Sequence, residues 1–216
     1  MRCYLVRHAQ TAWNFNGRLQ GHSDQPLNAV GQAQALEVGR YFSGRTLTTI
    51  YTSHLARSRQ TADAIAQQTG ASLTVLPELA EIYLGEWEGL TPEEVNARFD
   101  GAYERWRDTP SDVAIPRAEP VPSFRDRVRR TAARILESQT AGEFVVVSHG
   151  GVIAAMLADW WEADYNRLIR RLALDNAGVS ALDYRTRPPH VLWVNDTSHL
   201  AAVDGTRNGS ASPVNA

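Results

Sequence analysis

Two short apolar runs, Tyr4-Leu5-Val6 and Phe144-Val145-Val146-Val147, are continuous rather than alternating. Continuous β-branched and aromatic runs suit strands covered on both faces, as in a parallel sheet. A histidine stands just beyond each run, His8 after Arg7 and His149 after Ser148, so two imidazoles are expected at one sheet edge. Ligands of open α/β sheets bind beyond the carboxyl ends of the strands, and both histidines fall there. Gly150-Gly151 then opens a helix-like stretch, Val152 to Trp160, whose first backbone N–H groups favour an anion.

Further along, the pattern predicts a helix over Ala29 to Phe42, a strand over Thr49 to Tyr51, a helix over Leu55 to Gln68 and a strand over Leu73 to Leu76. A loop with Glu81 comes next, then a segment, 91–122, rich in proline, aromatic and charged residues such as Phe99, Tyr103, Arg105, Trp106 and Arg107. It reads either as a helical excursion over the site, where a rigid scaffold places selectivity, or as a peripheral helical pair with solvated arginines. A long helix over Ser123 to Gln139 sets Phe124, Val128, Ile135 and Leu136 on one stripe. Arg127, Arg130 and Arg134 fall on another, expected to be a solvated face. Strands near Gly178 to Tyr184 and Val191 to Val194 follow, and the small polar residues 204–216 are expected to form a flexible tail.

Arg7-His8-Ala9-Gln10-Thr11 resembles the R-H-G-[EQ]-[ST] signature of the histidine phosphatase superfamily, the phosphoglycerate mutase-like fold. The blocks Leu19 to Leu27, Ser53 to Thr61, Leu79 to Gly89 and Ser148 to Gly151 resemble the family's other blocks in the family's order. The resemblance implies an α/β three-layer sandwich: a mostly parallel central sheet, helices on both faces, and a helical excursion over the active site. One domain, 1–203, with 91–122 as its cap, is expected. The catalytic set it implies is His8, Glu81, Arg7, Arg57 and His149, and the phosphate-binding set is Thr11, Asn14, Gln20, Gly21 and Gly150.

Elementary chemistry agrees with that set. A phosphoryl group has about two negative charges, and its transfer is mostly a matter of positioning and charge neutralisation. Arg7 and Arg57 each offer a planar fork of donors, His149 a further donor and Asn14 an amide. His8 is the candidate nucleophile, since a neutral imidazole nitrogen can attack phosphorus and leave a phosphohistidine. By resemblance, Glu81 is the general acid for the departing alcohol and afterwards the base that activates water. Arg59 matches no family position and is read as structural; Glu86 and Glu88 are read as rim charges, and His22 as bordering the pocket.

Departures from the family pattern point within it. Cofactor-dependent mutases show E-R-x-Y-G where this chain has Ile82 and Leu84 in place of the arginine and tyrosine, and Gly-Trp where it has Gly21-His22. The wording Leu84 to Thr91 resembles the phosphatase branch, including broad-specificity and α-ribazole phosphate phosphatases. The expected function is therefore hydrolysis of small phosphorylated metabolites. The alternatives are a 2,3-bisphosphoglycerate-dependent phosphoglycerate mutase and a non-catalytic phosphate-binding module, although modules of that kind usually lose a cage residue. Ala9 stands where glycine is usual, and a positive φ there would strain the loop.

Composition narrows the partners. The 216 residues are 43% hydrophobic and 21% charged, with net charge −2, which gives no reason to expect nucleic acid or membrane as a partner. The apolar runs fall short of the roughly 20 residues of a membrane span. No signal-like sequence begins the chain and its single cysteine, Cys3, cannot form an internal disulfide, so the cytoplasm is the expected compartment. The histidines lack zinc-site spacings, and neither a metal nor a cofactor is expected. A homodimer is left open. All 22 basic residues are arginine, so any phosphate contact from a cation must come from a guanidinium.

Overall fold

A computed structural model describes residues 1–186 and 188–203; the tail expected from Asp204 lies outside them. Among the described residues six strands form one sheet: β1 (Arg2–Arg7), β2 (Leu47–Thr52), β3 (Ser72–Val75), β4 (Glu143–Ser148), β5 (Val179–Asp183) and β6 (His190–Asp196). Their spatial order is β3-β2-β4-β1-β5-β6. β1, β2, β3 and β4 run parallel, and β5 is antiparallel to both of its neighbours. The α/β fold with a mostly parallel sheet is thus as expected.

Strand periodicity of two divides the core. Cys3, Leu5, Phe144 and Val146 point to one side of the sheet, and Tyr4, Val6, Val145 and Val147 to the other. The first side is covered by α6 (Val121–Ser138) and α7 (Gly150–Trp160), the second by α2 (Ala29–Phe42) and α3 (Ala56–Thr69). Burial on both faces is why these strands read as unbroken apolar runs. The remaining helices are short: α1 (Ala12–Phe15), α4 (Pro92–Arg98), α5 (Ala102–Asp108) and α8 (Tyr165–Ile169). Among the described residues no helix is long and apolar enough to cross a membrane.

The segment 91–122 is helical, as both readings of it expect. α4 opens on a capping box between Thr91 and Glu94 with Pro92 in its first turn. Tyr103 and Trp106 of α5 turn inward onto Trp87, whose ring centroid lies 6.1 Å from that of Trp106. Arg105, Arg107 and Arg117 are exposed, as the peripheral reading has them. Pro116 and Glu119 return to the loop after Glu81: Glu86 N donates to the Pro116 carbonyl at 3.1 Å and Glu119 N to that of Tyr83 at 2.9 Å.

One expectation about α6 is overturned. Phe124, Val128 and Ile135 are buried and Arg130 and Arg134 exposed, as predicted, but Arg127 is not solvated. Its side chain is only 19% exposed and donates to three backbone carbonyls and to Glu119. Helical periodicity places a residue on a face but cannot show that a distant loop folds over that face.

Candidate active site

In the parallel pair β1/β4, Arg7 is paired with Ser148, so His8 and His149 leave the sheet side by side. The His8 N–H donates to the Ser148 carbonyl at 2.8 Å, and the imidazole centroids are 5.2 Å apart. This is the juxtaposition that the two apolar runs predict.

Both rings are buried. His8 Nδ1 lies 2.8 Å from the Ala9 carbonyl, which can only accept, so Nδ1 holds the proton of the neutral ring and Nε2 keeps the free lone pair. Burial pushes the His8 pKa well below the ordinary histidine value, and Arg57 and Arg7 push it further down. His149 is depressed too, by burial first and then by Arg57. Its Nε2 lies 2.8 Å from Ser53 Oγ, while Nδ1 has no partner among the described residues. Positive φ occurs at five described non-glycine residues, and Ala9 is not one of them, so its methyl group brings no backbone strain.

The two guanidinium groups arrive from different elements. Arg7 ends β1 and donates to the Leu174 carbonyl. Arg57 lies in the first turn of α3, fully buried, and donates to the carbonyls of Gly21 at 2.7 Å and Ser23 at 2.8 Å. Asp24 caps the same helix from a distance by accepting from Ala56 N at 2.6 Å, which fixes the loop 20–24 against Arg57. Gly21 is required there: its φ is 51°, and a Cβ would meet Glu88 Oε1 at 2.2 Å. Burial lowers the Arg57 pKa to about 10 against the opposing pull of Glu81, so the group stays charged at neutral pH. Arg7 is lowered for the same first reason.

Neutral donors complete the surroundings. Asn14 Oδ1 accepts from Thr11 N at 3.1 Å and from Asn176 Nδ2 at 3.3 Å, and Gln20 Oε1 accepts from Thr11 Oγ1 at 2.9 Å. With their oxygens anchored, the amide nitrogens of Asn14 and Gln20 are buried donors without a partner among the described residues, as is Arg57 Nε. Buried donors of this kind call for an acceptor.

Glu81 is buried, its Oε1 accepting from its neighbour Ile82 N at 2.9 Å and its Oε2 from Gly151 N at 3.0 Å. The α7 N-terminus, read as an anion site, thus holds a side-chain carboxyl. Gly150 lies beside Arg7, where a Cβ would sit 3.7 Å from the guanidinium Nε. His22 Nε2 donates to the Glu81 carbonyl at 2.8 Å and so borders the site as expected.

Glu88 corrects its reading as a rim charge: it accepts from His22 N, Ser23 Oγ and Leu84 N and ties two loops together. Glu86 is exposed and pairs with Arg117 at 3.3 Å. Asn176 and Ser53 were not legible in sequence. Asn176 Nδ2 donates to the His8 carbonyl at 3.0 Å, and nothing in Asp175-Asn176-Ala177-Gly178 distinguishes it from an ordinary turn. A recess of about 650 Å3 lies along the segment 91–122 between Trp87, Phe99, Arg105 and Asp112, and none of the candidate phosphate-site residues lines it.

Residues 3–197 match the family model of the histidine phosphatase superfamily, branch 1. The chain belongs to that superfamily. It is 32% identical over 213 residues, 94% of this chain and 96% of the relative, to "Probable phosphoglycerate mutase GpmB" of Salmonella choleraesuis. Among solved structures it is similar to a mycobacterial glucosyl-3-phosphoglycerate phosphatase in complex with VO3, with TM-score 0.83 and 27% identity, covering 91% of this chain and 99% of that one. It is also similar to the phosphoserine phosphatase of Entamoeba histolytica in complex with 3-phosphoglyceric acid, with TM-score 0.81 and 28% identity over 92% of this chain and 98% of that one. Relatives within this superfamily are thus named both as phosphatases and as mutases.

Proposed function

We propose that this histidine phosphatase superfamily member is a phosphomonoesterase working through a phosphohistidine on His8. The observation that supports it most directly is a neutral imidazole with its Nε2 lone pair free, within the field of two guanidinium groups and beside buried donors of Asn14, Gln20 and Arg57 that have no partner among the described residues. A phosphoryl group would satisfy those donors and place phosphorus against that lone pair.

In the first step His8 Nε2 bonds to phosphorus as the ester P–O bond breaks, and Glu81 gives its proton to the departing alcohol oxygen. Water then attacks phosphorus, losing a proton to Glu81, and the P–N bond breaks to release phosphate. Arg7 and Arg57 neutralise charge on the equatorial oxygens, the neutral His149 donates a hydrogen bond to one of them, and Thr11, Asn14, Gln20, Gly21 and Gly150 shape the remaining walls. We propose one domain over 1–203, with 91–122 as a cap that sets selectivity, and a reaction that needs no metal. Among the described residues no group of three His, Cys, Asp or Glu side chains could hold a metal ion.

The relative named as a mutase favours a second reading, phosphoryl return to a sugar acid. Against it, Ile82 and Leu84 are buried apolar side chains and neither can hold a substrate carboxylate. A panel of phosphate monoesters, run beside 3-phosphoglycerate with a 2,3-bisphosphoglycerate primer, separates the two. Phosphate release from the best monoester should outpace isomerisation, unaffected by chelator and inhibited by vanadate, whose trigonal-bipyramidal geometry mimics the transferring group. Fast primer-dependent isomerisation with little free phosphate reverses the assignment to mutase.

A further inference from the structure

Arg127 makes contacts that a surface arginine has no reason to make. Its Nη1 donates to the carbonyls of Glu78 at 2.7 Å and Ala80 at 2.9 Å, and its Nη2 to the carbonyl of Glu81 at 3.2 Å. The remaining face of the guanidinium is taken by Glu119 as a fork, Nε to Oε1 at 2.9 Å and Nη2 to Oε2 at 2.6 Å. Only 19% of each side chain is exposed, so solvent competes weakly with this ion pair. The three carbonyls belong to the turn that delivers Glu81, which spans the short 3₁₀ helix Pro77–Leu79 and the extended residue Ala80. Glu119 is itself fixed to the other side of that loop, through Glu119 N to the Tyr83 carbonyl.

Carbonyls at residues 78, 80 and 81 are gathered onto one planar cation. The cation is locked in turn by a carboxylate from the end of the helical segment. We infer that Arg127 and Glu119 form a positioning pair that holds the backbone on which the Glu81 carboxyl is presented to the leaving oxygen. The inference rests on the proposed role of Glu81 as general acid. A lysine could not replace the arginine: an ammonium is a point charge with three rotatable donors, and cannot meet a carboxylate fork and three carbonyls at once. The pair touches neither substrate nor phosphorus, so its effect must pass through Glu81.

An ester series reads that path. Proton donation matters for alkyl phosphates and little for 2,4-dinitrophenyl phosphate, whose leaving group is a weak base. Arg127→Met, Arg127→Lys and Glu119→Gln are compared with Glu81→Gln on both esters, with the pre-steady-state burst separating phosphorylation from hydrolysis. The expectation for Arg127→Met is a fall in the alkyl phosphorylation rate of about 10- to 100-fold, part of the roughly 10²–10⁴ that a general acid contributes. Phosphorylation by the dinitrophenyl ester should change by less than about threefold and KM should be nearly constant. Arg127→Lys should fail to rescue, Glu119→Gln should lose less with the same ester selectivity, and Arg127→Met in the Glu81→Gln background should cost nothing further on alkyl esters.

Equal losses on both esters in Arg127→Met and in Glu119→Gln, while Glu81→Gln still discriminates, would mean that the pair is merely structural and overturn the inference alone. Loss of ester selectivity in Glu81→Gln itself would overturn both the general-acid reading and the inference built on it. Should Arg127→Met not fold, Glu119→Gln decides, since it keeps the side chain's shape while removing its charge and one of the two acceptors that Arg127 uses.

Discussion

His8 is neutral for reasons of burial and of neighbouring positive charge, and the Ala9 carbonyl fixes which nitrogen is free. A nucleophile so prepared should leave a trace. Quenching the enzyme with substrate at neutral or alkaline pH should trap a phosphoryl group on His8 that is labile to acid and stable to base. His8→Ala should show no trapped phosphoryl group and no turnover, whereas an intact phosphoenzyme in that variant would rule out His8 as nucleophile. At this scale much was legible, because His8 and His149 follow apolar runs and Arg57 and Glu81 stand within ordered blocks. Asn176 and Arg127 were not. Each acts through backbone carbonyls of a segment remote in sequence, and such partners leave no local pattern to read.

Elements were legible where their periodicity is long and their caps are strong. α2 runs over the predicted span, Ala29–Phe42, because Asn28 caps it by accepting from Gly31 N at 2.8 Å. α6 begins at Val121, two residues earlier than its pattern suggested. Pro122 lies in the first turn, where a missing N–H costs no hydrogen bond, so it starts the helix rather than blocking it. The four-residue α1 is too short to show a period and exists through the Thr11 and Asn14 capping box. The start of α7 yields an element-scale prediction. A Cβ on Gly151 would meet Glu81 Oε1 at 2.4 Å, so Gly151→Ala must displace the carboxyl group or the helix. Overpacking of this kind costs about 1–3 kcal/mol, seen as a lower melting temperature. We expect kcat on alkyl phosphates to fall by about tenfold or more, because the displaced group is the one proposed to supply the 10²–10⁴ of acid catalysis. Unchanged kcat on alkyl esters would separate Glu81 from the chemistry.

The whole molecule bears the cost of holding two imidazoles uncharged in its interior. In the folded state both His8 and His149 have pKa values well below the ordinary one, with burial the largest cause for each; in the unfolded chain each returns to about 6.5. Between those limits the unfolded state binds protons that the folded state refuses, so stability rises with pH and falls as the solution is acidified below about 6.5. Each group adds at most about 1.4 kcal/mol per pH unit to that slope. His199, lowered by burial and more accessible, adds less. Urea unfolding midpoints taken at intervals from about pH 8 down to about pH 5 should be flat at first and then drop, the slope appearing as the unfolded histidines begin to titrate. A variant with His8→Ala and His149→Ala should lose most of the acid-side slope. An equally steep decline in that variant would place the acid sensitivity elsewhere and remove the thermodynamic support for two neutral imidazoles at the site.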